Sequence, residues 1–344
     1  MINFDKDLFV AISEDVFNCD SPSGYTQNAV KVVCDYLNEF GYDFKILNNG
    51  AVEVFVRGRD SSKLVATSAH LDTLGLMVRS IKSNGALALT TLGSPVTASL
   101  DGEYCNIYTR EGKVYRGTIQ STSPAIHVFD DAKTKMRSIE NLEVRIDEKV
   151  NNKEDVLKLG INNGDIVCYD PKFEVTDSGF VKTRFIDDKA SVVVLLMLLK
   201  YLKDNNETFK YDTKIYFVVY EEVGHGASII DKNISEFVTL DMGCVGLDLD
   251  GNEYAVSICA KDSSGPYDYD ITTKLIELAK ENGLNYTVDI FPNYASDISA
   301  SRRAGVDFKG GLFGTGVSAS HGMERTHLEG LENTLKLAYL YFVK

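Results

Sequence analysis

The sequence predicts an α/β domain interrupted by a smaller β-rich insertion, and three observations carry that prediction. Helical and strand-like patterns alternate from Tyr25 to Ser68 and again from Asp187 onward. Between about Leu76 and Val181 they give way to short alternating segments, punctuated by turns such as Asp101-Gly102 and Asn163-Gly164. Acids and histidines gather directly behind apolar runs on both sides of that stretch. The division this implies is residues 1–75 and 182–344 for the α/β domain and 76–181 for the insertion.

The elements follow in order. Ala29, Val33, Tyr36, Leu37 and Phe40 fall on one helical face between Tyr25 and Phe40, and Gly41 stands where a C-cap glycine belongs. Ala51 to Val56 and Leu64 to Ser68 are β-branched runs, the second leading into Ala69-His70-Leu71-Asp72. In the insertion, Lys113 to Ile119 and Gly164 to Tyr169 alternate as strands do. Beyond it come a helix from Ala190 to Lys203, strands from Lys214 to Tyr220 and from Cys244 to Leu249, and helices from Asp270 to Glu281 and Leu328 to Tyr341. Neither a 20–50-residue repeat nor a low-complexity tract breaks this pattern.

Composition narrows the function classes. A chain of 344 residues, 44% of them hydrophobic, can bury a large core without staples. Acids within the first sixteen residues (Asp5, Asp7, Glu14) argue against a secretory signal, and the apolar run from Val192 to Leu199 is far short of the roughly 20 residues of a membrane span. Six dispersed cysteines without a CxxC fit reduced thiols in a cytoplasmic protein rather than a disulfide framework. A net charge of −14 repels nucleic acid and anionic lipid, so neither is expected as a partner.

The chemistry-bearing residues form a series. His70 and Asp72, two apart on a strand, share a face, so the carboxylate can fix the tautomer of a metal-bound imidazole; a simple hydrogen-bonded pair fits as well. Asp187 and Asp188 precede an apolar helix, where one Asp could be an N-cap but a carboxylate could also bridge two cations. Glu221 and Glu222 follow the strand Ile215 to Tyr220. Adjacent buried like charges are costly unless a cation is near, and one of the pair could then serve as a general base. Asp248 ends the run from Val245, where it fits a loop start equally well. His321 and His327 are two of only five histidines. Taken together, His70, Asp187, Glu222, Asp248 and His321 make a nitrogen and carboxylate set suited to zinc, cobalt or manganese.

With these residues in hand, the chain resembles the M42 metallo-aminopeptidases, the tetrahedral and glutamyl aminopeptidase group. The resemblance runs nearly end to end through Pro22-Ser23-Gly24-Tyr25, Ala69-His70-Leu71-Asp72, Ile186-Asp187-Asp188-Lys189, Glu221-Glu222-Val223-Gly224, Leu247-Asp248, Ser296-Asp297 and Ser320-His321. It implies a three-layer α/β sandwich around a mixed central sheet, with an inserted domain that mediates dimerisation. It implies two divalent cations, zinc foremost with cobalt or manganese as alternatives, held by His70, Asp187 as bridge, Glu222, Asp248 and His321. Glu221 would be the general base and Asp72 the residue orienting His70. Peptide substrates and a dimer-built homo-oligomer, commonly a dodecamer in the family, are implied with them. Thr73 and Lys189 depart from the residues the family often carries, and the setting of His321 also departs, which keeps His327 open as the last ligand. His225 reads as structural, and His127 lies in the insertion, away from the chemistry. Two rival readings remain: a metal-dependent deacylase or carboxypeptidase of the M20 type, for which Arg302-Arg303 would recognise a carboxylate, and a non-catalytic assembly protein on the same scaffold.

Overall fold

Alternating residues of the central strands point into two separate apolar layers, and this sets the architecture. Val65, Ile215, Phe217, Val238, Leu240 and Phe313 pack on one side of the sheet, and Ala66, Tyr216, Val218, Phe237 and Leu312 on the other, as a pleated strand buried on both faces requires. The computed structural model describes every residue except Leu247. Its contacts divide the chain into one unit of Met1–Thr73 with Lys172–Lys344 and a second of Leu74–Pro171.

The first unit is built on a ten-stranded mixed sheet. Its spine runs Phe44–Ile46, Val52–Val56, Tyr211–Val218, Asp60–His70, Glu236–Leu240, Lys309–Val317, Val256–Asp262 and Gly265–Pro266, with Gly243–Cys244 and Tyr286–Ile290 pairing from the side. Tyr211–Val218, Asp60–His70, Glu236–Leu240 and Lys309–Val317 are parallel neighbours, so they deliver their carboxyl ends to one edge. The helices Lys6–Phe17, Gln27–Phe40, Ile186–Asp204, Tyr269–Glu281 and Leu328–Phe342 cover one face, and Asp297–Arg303 lies on the other. The result is the expected three-layer arrangement with a mixed central sheet.

Local sequence explains the main helices. Gln27–Phe40 buries Ala29, Val30, Val33, Cys34, Leu37 and Phe40. It ends at Gly41, whose φ of 73° lies in the left-handed region that closes helices; the Tyr42 N–H reaches back to Leu37 O at 2.9 Å. Ile186–Asp204 is apolar all round and correspondingly buried along nearly its whole length, as a helix walled in by sheet and other helices must be. Among the described residues no helix is long and apolar enough to cross a membrane.

The second unit is a closed six-stranded barrel, in the order Gly75–Ile81, Leu87–Leu92, Leu142–Ile146, Val114–Ser121, Tyr104–Tyr108, Ile166–Tyr169. Leu76, Val78, Leu87, Leu89, Ile107, Ile119, Val144 and Val167 fill its interior.

Two sequence expectations need correction. The insertion ends at Pro171 rather than Val181, because Glu174–Val175 and Phe180–Thr183 form a small sheet with Glu324–His327 of the first unit. The strand expected from Cys244 to Leu249 is only Gly243–Cys244; Leu247, within that expected strand and in the Leu247-Asp248 motif, lies outside the described residues.

Candidate metal centre

Three parallel strands and one irregular connection converge on the site. Asp60–His70 ends in His70 itself, Glu221 and Glu222 stand in the turn just beyond Tyr211–Val218, and Asp241 directly follows Glu236–Leu240. Asp187 enters after Phe180–Thr183, through Phe185 at φ 68°, and neither Asp187 nor Asp188 has helical dihedral angles. The carboxyl ends of parallel strands are where open α/β sheets carry ligands. Gly314 matters here, since a Cβ at that position would overlap the carbonyl of Asp241.

Asp187 sits at the middle. Its Oδ1 lies 3.0 Å from His70 Nε2 and its Oδ2 3.4 Å from His321 Nε2, so each oxygen faces a different imidazole. His321 Nε2 is also 3.7 Å from Glu222 Oε2, and His70 Nε2 is 3.8 Å from Glu221 Oε2. Among the described residues, two groups have ligand atoms close enough to share a cation: His70 with Asp187 and Glu222, and His70 with Asp188 and Asp241. Of the expected residues, His70, Asp187, Glu221, Glu222 and His321 are therefore brought together.

Asp248 is not. It lies exposed in a turn at φ 62° and belongs to neither group; Asp241 stands where that ligand was expected. The signal for Asp241 was present in Phe237-Val238-Thr239-Leu240-Asp241, an acid immediately behind an apolar strand. His327 is likewise spent elsewhere. Its Nε2 donates to Ser178 O at 2.9 Å and its Nδ1 accepts from the Glu329 N–H at 3.1 Å, capping the last helix. His225 stacks on Tyr220 with ring centroids 5.3 Å apart, and His127 is exposed in the barrel unit.

Asp72 also has a different place from the one expected. His70 Nδ1 donates to the carbonyl oxygen of Asp72 at 2.8 Å, which leaves Nε2 as the ligand atom. The carboxylate of Asp72 accepts instead from the N–H groups of Glu221 (3.0 Å) and Glu222 (3.3 Å) and from Ser23 Oγ (2.5 Å). It holds the turn of Glu221 and Glu222.

Electrostatics test whether cations fit. Burial pushes the carboxyls of Asp188, Glu221 and Glu222 well above their ordinary range, and burial with repulsion from Asp187 raises Asp241 to about 8. Asp297, also buried, is raised to about 6. Burial opposes the charged form of His70, but Asp187, Glu221 and Asp188 outweigh it and hold the imidazole protonated well above its usual range. Asp187 shows the converse: burial would raise it, yet His321 and His70 draw it below the ordinary carboxylate range. Protons thus neutralise a packed set of carboxylates, and Glu222 Oε1 is buried with no hydrogen-bond partner among the described residues. A nitrogen and oxygen donor set with excess negative charge and an orphaned oxygen fits divalent cations.

Known proteins resemble the chain along most of its length. The chain is 40% identical over 329 residues, 95% of each chain, to YhfE of Bacillus subtilis (strain 168), a provisionally described aminopeptidase. It is 25% identical over 224 residues, 64% of its length and 62% of the relative's, to the lysyl aminopeptidase of Pyrococcus furiosus. The solved TET1 peptidase of Pyrococcus horikoshii superposes with a TM-score of 0.85 at 23% identity, covering 98% of this chain and 99% of that one, which establishes the shared fold. The model of the family described as M42 glutamyl aminopeptidase matches residues 50–337, and with most of its length so matched the chain belongs to the M42 aminopeptidase family.

Proposed function

We propose that the chain is a co-catalytic two-metal aminopeptidase that removes N-terminal residues from short peptides. The placement of Asp187, one oxygen toward His70 and the other toward His321, carries this reading, because a carboxylate so shared is suited to bridge two cations. His70 and Asp241 would complete one cation position, and Glu222 and His321 the other. Asp241 would take the role expected of Asp248. Imidazole with carboxylate favours zinc, with cobalt or manganese as the alternatives. Bound there, divalent cations supply Lewis acidity, polarising the scissile carbonyl and raising the acidity of water.

Glu221 is the group we assign to moving protons. Its Oε2 reaches within 3.8 Å of His70 Nε2, while its main-chain N–H is fixed on Asp72. Burial raises its proton affinity, so the carboxylate can take a proton from water and return it to the departing amine. Asp297, raised by burial only to about 6, is ionised at neutral pH and gives the site an anionic group suited to the free α-ammonium of a peptide rather than to a substrate carboxylate. The rival carboxylate-recognising pair has partners of its own: Arg302 donates to Pro266 O at 3.4 Å and Arg303 to Ser264 Oγ at 3.2 Å.

A homo-oligomer built through the barrel unit belongs to the same proposal. Ile126, Val128, Phe129 and Met136 are 54%, 74%, 38% and 74% exposed within one short segment, an apolar display suited to a subunit contact. The Pyrococcus horikoshii relative is described as assembling into a tetrahedron or a large octahedral shell. The dispersed cysteines favour a reducing, cytoplasmic setting.

The central test is Glu221→Gln. Turnover of an aminoacyl anilide should fall by about 10²–10⁴ with metal content retained, and N-acetylated peptides should not be cleaved by the wild type. Undiminished turnover in the variant removes Glu221 from the role, and cleavage of blocked peptides removes the aminopeptidase reading. Light scattering on the wild type checks the assembly, which a monomer would exclude.

A further inference from the structure

Glu324 is 2% exposed, and both of its carboxylate oxygens are spent on main-chain amides. Oε2 accepts from the N–H of Asp187 at 3.1 Å and Oε1 from the N–H of His321 at 2.9 Å. These two donors come from distant parts of the chain, yet their side chains meet at 3.4 Å in the centre of the site. Topology explains how one residue reaches both. Glu324 opens the strand Glu324–His327 and lies opposite Thr183, the end of the strand that leads into Asp187, while His321 sits in the tight turn just before it.

That turn needs a hold. Ala319 and His321 adopt φ values of 57° and 64°, the left-handed region that residues with a Cβ disfavour unless neighbours over-determine it. Glu324 itself belongs to neither group of atoms close enough to share a cation. Its contribution is to geometry, as that of Asp72 is to Glu221 and Glu222.

We propose that Glu324 is a positioning residue for the metal centre, clamping the amides of Asp187 and His321 on one carboxylate and so fixing the separation of the two side chains that hold a cation between them. This rests on the two-metal reading given above. A purely local brace of the hairpin would stabilise the fold equally with and without metal; a clamp between ligands acts on metal binding.

The experiment uses the full chain, stripped of metal and titrated calorimetrically with zinc, and separately loaded with cobalt for its visible spectrum. Glutamine keeps the shape but offers one acceptor oxygen in place of two, so Glu324→Gln leaves one amide without its partner. The expected result is a weakening of one cation site by about 10–100-fold and an altered cobalt spectrum, with kcat lowered more than KM is raised. The loss of zinc affinity should exceed, in free energy, whatever metal-free stability is lost through the amide left without a partner. Glu324→Asp, which keeps two acceptors on a shorter arm, should recover part of the affinity. Wild-type affinity and spectrum in Glu324→Gln overturn the proposal, as does a loss of affinity matched in both variants by an equal loss of metal-free stability. A wild-type chain that binds no zinc sinks the two-metal reading and this inference together, whereas a wild type that binds two cations beside an unaltered variant sinks only the clamp.

Discussion

His70 turns its Nδ1 toward the carbonyl oxygen of Asp72 at 2.8 Å, while the carboxylate of Asp72 stands 3.8 Å away. A main-chain acceptor therefore orients the imidazole, and it survives any substitution of the side chain. Asp72→Ala should keep its metal but lose about 10–100-fold in kcat, because the turn carrying Glu221 and Glu222 loses its anchor. Metal analysis beside steady-state kinetics decides; loss of metal with an unchanged rate per bound ion would return the carboxylate to His70.

Asp241 and Asp248 give a paired comparison. Asp241 is buried with His70 and Asp188, and Asp248 is exposed. Asp241→Asn should reduce the zinc bound per chain and abolish most turnover, while Asp248→Asn retains both. Elemental analysis of the two purified variants is enough, and the reverse pattern would restore Asp248 as the ligand.

The metal-free protein should become less stable as pH rises. Asp241 is held up to about 8 by burial and Asp187, and Glu324 to about 8 by burial and the same neighbour. Between the ordinary carboxyl range near pH 4 and about pH 8 the folded chain keeps protons that the unfolded chain has released, so unfolding gains on folding with each step upward in pH. His70, also raised, acts in the same direction. Thermal melts of chelator-treated protein should show a lower midpoint at pH 8 than at pH 5.5, with the increment from added zinc larger at pH 8. A metal-free midpoint that climbs over this interval contradicts the charge arrangement.

Gly314 supplies a test of packing. The methyl group of Gly314→Ala would collide with the Asp241 carbonyl, a contact that backbone cannot yield cheaply. A stability loss of about 1–3 kcal/mol is expected, together with weaker zinc binding as Asp241 shifts. Denaturant melts and zinc titration measure both, and an unchanged midpoint would place the strand farther from Asp241.

What was readable in the sequence was local. The helix Gln27–Phe40 follows from its apolar spacing and Gly41, His70, Glu221 and Glu222 from their places behind apolar runs, and Asp187 from its place before one. That same rule misled at Asp248, because Val245 onward imitates a strand where the real one stops at Cys244. It would have reached Asp241 had Phe237–Leu240 been weighed alike. The true end of the insertion and the clamp at Glu324 depend on Phe180–Thr183 pairing with Glu324–His327, a register set by tertiary contacts that no short window contains. The role of Asp72 was hidden for a related reason: its acceptors' partners lie on a turn far along the chain.

The closed circuit of six strands in the Leu74–Pro171 unit gives every strand two neighbours, so none of them is an edge strand. Neighbouring copies consequently have no free edge strand to extend there, and association through this module would be read out chiefly by side-chain shape and chemistry. Specificity of assembly can then drift by surface substitution alone, without disturbing the hydrogen bonds that keep the module folded.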